Sequence, residues 1–307
     1  MGHAAISLTP AQALGIPVAL VGAVFLAIGS QLQQHGVAKV GSRGSGGPQV
    51  GLHVGELLAL ARRPSWLLGT LLLGLAIVFQ LFSLYLAPLT VVQPLGAVAL
   101  VITVLVNARV TKKPLDAAAV RAVLLCVLGV GAFVGVAALT TTTVPIEDTQ
   151  LVIVVAMLIV VLASLGTGFA IMRNSLPRLF YVVGAGMLFG FVATLAKVLI
   201  TRVQTILLTG FHLVFADWLT LVCFVGLVAA ALLGTYFVQT AYSTGSPSVV
   251  VAGLTVIDPL VGVTIGIVVL GEAAAAPWWA PIVFALAGLV AVWGVYRLSR
   301  QSHAPRV

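Results

Sequence analysis

The segment QLVIVVAMLIVVLASLGTGFAIM (residues 150–172) decides the class of fold, because none of its 23 residues is charged. A helix of this length spans the roughly 30 Å hydrocarbon core of a bilayer. Similar apolar runs recur along the chain and predict nine membrane-spanning helices, so we expect an all-α membrane protein. By residue number the predicted spans are 13–31, 66–86, 89–110, 117–139, 150–172, 178–201, 217–243, 247–270 and 278–298.

The composition agrees with lipid as the main solvent, since only 7% of the 307 residues are charged and 61% are hydrophobic. A soluble domain carries about 25% charged residues, which help to cover its surface with polar groups. The net charge of +8 raises the question of a nucleic-acid partner. Such a partner needs basic side chains clustered on a polar face, and here they are scattered between apolar runs. We therefore expect the lipid bilayer, and no nucleic acid, as a partner.

The distribution of the basic residues predicts an orientation. If the nine spans alternate in direction, thirteen of the fifteen Lys and Arg residues fall on one side. Lys197 and Arg202 fall on the other side, together with Glu147, Asp148 and Glu272. Loops rich in Lys and Arg stay in the cytoplasm. The sequence thus predicts a multi-pass inner- or plasma-membrane protein with its N-terminus outside and its C-terminus in the cytoplasm.

A polar stretch divides the chain into two halves. Residues 140–150 contain four consecutive threonines and an acidic pair, and they separate a first repeat, 1–139, with four spans from a second, 150–307, with five. The first repeat includes a long cytoplasmic loop, in which residues 49–63 suit a short interfacial helix. A stunted tenth span is the alternative, and a histidine and a glutamate within the segment disfavour it.

Two stretches, one in each half, are similar to each other. LAPLTVVQPLGA (residues 86–97) opens the third span and GSPSVVVAGLTVIDPLVG (residues 245–262) opens the eighth. Each contains two prolines, the second of which follows a polar residue. The two copies are five spans apart, so they cross the membrane in opposite directions, as in the inverted-topology repeats of transporters. We predict helix breaks at four prolines: Pro88, Pro94, Pro247 and Pro259.

These stretches resemble a known family. Ser-Pro, an apolar run, Pro, a second apolar run and Leu-Gly-Glu (residues 246–272) resemble the second repeat of EamA-type members of the drug/metabolite transporter (DMT) superfamily. APLTVVQPLGA (87–97) and IGSQLQQHGVAKVGSRG (28–44) resemble its NIPA magnesium-transporter branch. The resemblance covers nearly the whole chain and implies nine or ten helices around a central substrate cavity, with transport by alternating access. An arrangement of five plus five helices that has lost the first one would give nine.

One departure from the NIPA pattern bears on the substrate. Where that pattern has Gly-Glu after the third span, this chain has Lys112 and Lys113. A basic loop in place of an acidic one disfavours magnesium.

Asp258 is the first candidate for substrate binding or proton coupling. It is the twelfth residue of a 24-residue predicted span, near the bilayer centre, where a carboxylate costs about 3 kcal/mol even on insertion scales. Pro259 also removes the hydrogen bond to the carbonyl of Thr255, which becomes available to a ligand. The alternative is a buried aspartate that accepts hydrogen bonds from hydroxyl groups of neighbouring helices.

Lys197 is the second candidate. It lies on a helical row with Gly186 and Gly190, the small-residue face that is expected to pack into the bundle. From there its ammonium group could pair with Asp258. The alternative is that the side chain extends to the outer membrane interface beside Arg202.

Three uncharged residues complete the predicted substrate-binding set. Gln93 precedes Pro94 as Asp258 precedes Pro259, which makes Gln93 a candidate for lining the cavity. Gln239 and Tyr242 lie near the end of the seventh span. Interhelical hydrogen bonds and interfacial anchoring are the alternative explanations for such residues. Only the family resemblance draws attention to Glu272.

The sequence contains no phosphate-binding loop, zinc motif or catalytic triad pattern, so we expect no enzyme activity, no cofactor and no bound metal. We predict a transporter of the drug/metabolite type for a small organic metabolite or amphiphile, with proton coupling through Asp258 as a hypothesis. A NIPA-like divalent-cation transporter is the first alternative. A non-transporting membrane partner or a lipid-carrier flippase subunit is the second, and a homodimer is compatible with all three.

Overall fold

Helices make up nearly all of the computed structural model, which describes residues 9–41, 63–110, 112, 116–171, 178–209, 215–244 and 247–301. We number the helices α1 to α10 in chain order. In that order they are Pro10–Gly41, Pro64–Leu86, Leu89–Leu95, Ala97–Val110, Ala117–Thr140, Asp148–Ile171, Arg178–Thr209, Phe215–Thr244, Pro247–Val268 and Ala280–Gln301.

Eight helical segments in the described ranges are long and apolar enough to cross a membrane. One of them, Leu89–Val106, is made of α3 and α4 together. The predicted all-α, multi-pass membrane fold is confirmed. The eighth predicted span, 247–270, corresponds to α9, where the apolar stretch Gly253–Val268 is shorter. A ninth crossing therefore stays a prediction. Of the proposed interfacial helix, 49–63, residues 49–62 lie outside the described residues.

The third predicted span is interrupted, as its prolines suggested. Pro88 precedes the first turn of α3, where the missing N–H of a proline costs nothing. Pro94 lies within α3 and removes the hydrogen bond to a carbonyl one turn earlier. The α-helical hydrogen-bond pattern is interrupted at Gly96, whose N–H donates to the carbonyl of Gln93 over 3.2 Å; its backbone angles stay helical, and α4 begins at Ala97.

The eighth predicted span is not interrupted, contrary to our expectation for Pro259. Helix α9 begins at Pro247 and continues through Pro259 to Val268. Close packing against α7 explains why a lost hydrogen bond does not end the helix. A Cβ on Gly186 would lie 2.7 Å from the Cβ of Ile257, and one on Gly190 would lie 2.7 Å from the Cβ of Val261. Only glycine permits this approach of α7 to α9.

The remaining packing places α1 along α2, α5 along α10, and α7 between α8 and α9. Helices α5 and α10 touch through glycine, since a Cβ on Gly294 would lie 2.8 Å from the Cα of Cys126. Cys126 and Cys223 are buried free thiols. The two halves of the sequence thus contribute to one bundle.

Polar contacts hold together one end of this bundle. Gln12 of α1 donates to the carbonyl of Thr141 over 2.8 Å, and the N–H of Thr142 donates to the carbonyl of Glu272 over 3.0 Å. Arg202 of α7 forms an ion pair of 3.5 Å with Asp148 at the start of α6. The charge pattern predicts a common, non-cytoplasmic side for three of these residues, Asp148, Arg202 and Glu272.

Candidate functional site

A cavity of about 470 Å³ lies inside the bundle, between α1, α2, the α3–α4 break, α7 and α9. Its walls are mainly apolar and include Phe189 of α7 and Leu254 of α9. Four lining residues have polar side chains: Gln80, Gln93, Thr255 and Asp258. A largely apolar cavity with a few convergent polar groups is the usual form of a small-molecule site.

Two of these lining residues each have one side-chain atom that is buried and has no hydrogen-bond partner in the described part of the chain. The atoms are Oδ1 of Asp258, which is an acceptor when ionised, and Nε2 of Gln93, which is a donor. Leaving a buried polar atom unpaired costs about 1–3 kcal/mol, and such atoms are rare in folded proteins. An unused acceptor and an unused donor therefore lie within the wall of the cavity.

Glycine allows the Gln93 side chain to reach this position. A Cβ on Gly262 of α9 would lie 2.9 Å from both Cγ and Cδ of Gln93. Any larger residue at 262 would displace the amide. Gln93 itself is only 5% exposed, so α3 and α9 together fix its amide beside the cavity.

Pro259 leaves a backbone acceptor free at a residue that lines the cavity, although it does not break α9. Because proline has no N–H, the carbonyl of Thr255 has no donor one turn later. The hydroxyl of Thr255 donates to the carbonyl of Val251 over 2.7 Å. Both Thr255 and Pro259 line the cavity, so the acceptors on α9 are concentrated within one helical turn of Asp258.

A second polar cluster, which we call the break cluster, consists of Glu272, Lys197, Thr90 and the backbone around the α2–α3 junction. Glu272 is 3% exposed. Its carboxylate accepts from the N–H of Leu89 and the N–H of Thr90, both over 2.7 Å, and from the hydroxyl of Thr90 over 2.5 Å. The negative charge thus binds the free N–H groups at the start of α3, where a helix dipole favours it.

Lys197 completes the break cluster from the other direction. Its ammonium donates to the carbonyl of Leu84 over 2.6 Å and to that of Ala87 over 2.9 Å. These carbonyls lie at the end of α2, where a cation is favourable. The charge of Glu272 also acts on the ammonium electrostatically. The junction between α2 and α3 therefore has a positive group at the end of α2 and a negative group at the start of α3.

This position of Lys197 decides between the alternatives from the sequence. The residue is 2% exposed, so it faces the bundle as predicted and does not extend to the interface beside Arg202. The expected pairing with Asp258 is wrong, because within the described ranges the ion pair observed is that of Arg202 with Asp148. Lys197 is committed to backbone carbonyls and leaves Asp258 without a cation.

The break cluster adjoins the cavity. Leu84, whose carbonyl binds Lys197, lines the cavity, and so does Ala196, the residue before Lys197. Glycine is again needed, because a Cβ on Gly266 would lie 2.8 Å from Oε2 of Glu272 and 2.9 Å from Oγ1 of Thr90. The cluster thus bounds the cavity at the end of the bundle where α2 stops and α3 starts.

The other predicted site residues are placed as follows. Gln93 and Asp258 lie on the same cavity, whereas Gln239 is exposed on α8 and does not line it. The side chain of Tyr242 lies outside the described residues. Pro94 and Pro259 both line a small apolar cavity of about 90 Å³ between α3, α5, α9 and α10, so the two halves of the repeat pattern meet there.

Sequence reasoning gave Glu272 no structural role and placed it in an outer turn. The available signal was a glutamate directly after an apolar helix, with Gly271 at a φ of 70° before it. That conformation suits glycine and turns the chain back, so that the N–H of Glu272 donates to the carbonyl of Gly266 over 3.0 Å. The side chain is thereby directed into the bundle.

The chain is similar to an uncharacterized protein of Corynebacterium glutamicum, with 26% identity over 294 residues. The aligned region covers 95% of this chain and 96% of that relative. No protein-family model matches the chain, and no solved structure matches it. The similarity therefore extends over the whole bundle.

Proposed function

We propose that the protein is a membrane transporter that moves a small organic metabolite or amphiphile through the central cavity by alternating access. The observation that carries this proposal is a cavity of about 470 Å³ between membrane-spanning helices, whose wall contains two buried, unpartnered atoms, Asp258 Oδ1 and Gln93 Nε2. A buried polar site without internal partners in a membrane protein is a functional site by default. A substrate supplies the missing partners.

The proposed access movement uses the break in the third span. Short helix α3 is joined to α4 through Gly96 and is attached to the rest of the bundle by Glu272. Broken helices of this kind let one part of a transporter move against another around a fixed site. The break cluster adjoins the cavity through Leu84 and Ala196. Release of the Glu272 carboxylate from Leu89 and Thr90 would allow the adjoining end of the cavity to open.

Membership of the drug/metabolite transporter superfamily, with an inverted repeat of nine spans, remains part of this proposal. So does the orientation with the N-terminus outside. A membrane-impermeant maleimide tests the orientation in intact cells. It should label Thr143→Cys, which is exposed in the loop before α6, and should not label Lys112→Cys, which is exposed after α4. The opposite labelling pattern would reverse the proposed orientation.

Divalent-cation transport is the second candidate that the sequence raised. A magnesium or calcium site is built from several oxygen ligands, commonly more than one carboxylate. In the described residues no three His, Cys, Asp or Glu side chains are grouped so that they could hold a metal ion. At the cavity, Asp258 would have to bind the ion with amide and carbonyl oxygens, so this candidate is less well supported.

A non-transporting partner or flippase subunit is the third candidate. It would be favoured by a bundle interior filled with side chains. The cavity of about 470 Å³ does not favour it.

Uptake into proteoliposomes tests the proposal. A mixture of metabolites is offered outside, and mass spectrometry identifies what accumulates inside, with magnesium uptake followed by a fluorescent indicator. Ala193→Phe should abolish uptake, because Ala193 lines the cavity and the phenyl ring would fill part of it. Ala156→Phe is the matched control, since Ala156 is exposed on α6. Equal uptake by both variants, or magnesium as the only transported species, would contradict the proposal.

A further inference from the structure

The polar groups of the cavity specify more than a small organic molecule. We infer that the substrate is a small monovalent organic cation, an amine that also carries a hydrogen-bond acceptor such as a hydroxyl group. The inference rests on the proposed transport function and names the class of compound that the site between α3 and α9 would bind.

The charge of the cavity is the first argument. Among its lining residues in the described part of the chain, Asp258 is the ionisable one. The nearest base, Lys197, has its ammonium on the carbonyls of Leu84 and Ala87 and interacts with Glu272. A carboxylate in an apolar cavity is costly unless a cation joins it. A substrate ammonium supplies the charge and the N–H donors that Oδ1 lacks.

The distribution of donors and acceptors is the second argument. Helix α9 presents acceptors, the carboxylate of Asp258 and the carbonyl of Thr255 that Pro259 leaves without a donor. Helix α3 carries a donor, Nε2 of Gln93, which is buried beside Gly262 of α9 without a partner in the described residues and would reach a substrate after the amide turns towards the cavity. A molecule that donates at one point and accepts at another satisfies both helices. A simple metal cation cannot accept a hydrogen bond from Gln93, and an anion would oppose Asp258.

The walls and the size of the cavity are the third argument. Phe189 and Leu254 line it beside the polar groups, so an apolar body next to the amine would be buried favourably. Small-molecule sites measure about 300–1,000 Å³, and this cavity of about 470 Å³ fits an amine of modest size. The site therefore selects substrates by the charge of their polar group and tolerates variation in their apolar part.

Three probes of similar size, each with a phenyl ring and a hydroxyl group, test the inference. Phenylalaninol is cationic, phenylpropanediol is neutral and phenyllactate is anionic. Binding of each to the purified full-length protein is measured by titration of the thermal unfolding temperature, which requires no transport. We expect phenylalaninol alone to stabilise the protein. Asp258→Asn should weaken its binding at least tenfold, which corresponds to about 1.4 kcal/mol. Asp148→Asn, the same change at an exposed ion pair, should leave binding unchanged.

A second variant keeps the test valid if Asp258→Asn does not fold. Gln93→Leu should weaken phenylalaninol binding about threefold and should leave binding of phenylpropylamine, which lacks the hydroxyl group, unchanged. Stabilisation by the neutral or the anionic probe as strong as that by phenylalaninol would overturn the substrate class. So would the absence of any effect of phenylalaninol. The transport function has a separate outcome, because uptake of another compound that Ala193→Phe blocks would uphold it even when the cation inference fails.

Discussion

Glu272 and Thr90 are 182 positions apart in the sequence, and the Glu272 carboxylate accepts hydrogen bonds from both the N–H and the hydroxyl of Thr90. With the third hydrogen bond, from Leu89, the carboxylate serves as the N-cap that the sequence of α3 lacks, since Pro88 at that position makes no side-chain hydrogen bond. A residue from the second half of the sequence thereby completes a helix of the first half.

Removing this carboxylate should destabilise the protein. Glu272→Ala leaves two buried N–H groups and a hydroxyl without their acceptor, at about 1–3 kcal/mol for each unsatisfied group. Glu272→Gln retains one acceptor oxygen and should lie between the wild type and Glu272→Ala. Thermal unfolding in detergent, followed by tryptophan fluorescence, measures the order. Glu147→Ala is the control, because Glu147 is exposed. Equal unfolding temperatures for the two alanine variants would show that the Glu272 contacts do not matter.

The contribution of Lys197 to the stability of the protein should depend in part on Glu272. Lys197→Met leaves the carbonyls of Leu84 and Ala87 unbound and the buried Glu272 without its cation, and we expect a loss of about 3 kcal/mol. In the double variant Lys197→Met/Glu272→Gln the negative charge is also gone. Its loss should be smaller than the sum of the two single losses by about 1 kcal/mol. Strict additivity would mean that the two charges do not interact.

Gly266 provides a test in which no charge is changed. In Gly266→Ala the new methyl group would lie 2.8 Å from Oε2 of Glu272 and 2.9 Å from Oγ1 of Thr90, closer than normal contact. The two side chains must separate, so the unfolding temperature should fall. Gly131→Ala in α5 has nothing within 4 Å of the new methyl group and should be neutral or stabilising, because alanine favours a helix by about 1 kcal/mol. A stable Gly266→Ala variant would contradict the described packing.

In the absence of substrate, Asp258 should lower the stability of the protein. An unpartnered carboxylate oxygen in an apolar cavity is unfavourable, so Asp258→Asn should raise the unfolding temperature in the absence of substrate. A gain of about 1 kcal/mol is expected, since an asparagine amide has a smaller desolvation cost than a charge. Asp148→Asn, which breaks an exposed ion pair with Arg202, should change stability by less than that. A lower unfolding temperature for Asp258→Asn would indicate that the carboxylate has a structural partner.

The sequence predicted the helices well because local sequence determines each of them. Each is a long apolar run bounded by glycine, proline or charged residues. It also predicted that Gln93 and Asp258 lie at comparable positions, and both line the cavity. It failed where partners come from distant segments. Lys197 was expected to pair with Asp258 and instead binds the end of α2, and Glu272 was given no structural role.

The expected break at Pro259 failed for a related reason. A proline removes one hydrogen bond locally, but whether the helix then bends depends on what packs against it. Here the glycine row of α7 holds α9, whereas α3 ends at Gly96, where the hydrogen-bond pattern is interrupted, and begins at a terminus that Glu272 fixes. Local sequence identified the weak points, and long-range packing decided which of them became a break.

Alternating access through the cavity is the central claim, and cysteine reactivity tests it most directly. Ala193→Cys, with Cys126 and Cys223 replaced by alanine, is exposed to a small membrane-impermeant thiol reagent in right-side-out and in inside-out vesicles. We expect reaction from both sides, slowed by phenylalaninol, while Ala156→Cys on the exposed face of α6 does not react from either side. No reaction of Ala193→Cys from either side would contradict the claim, because the cavity would then never open to water.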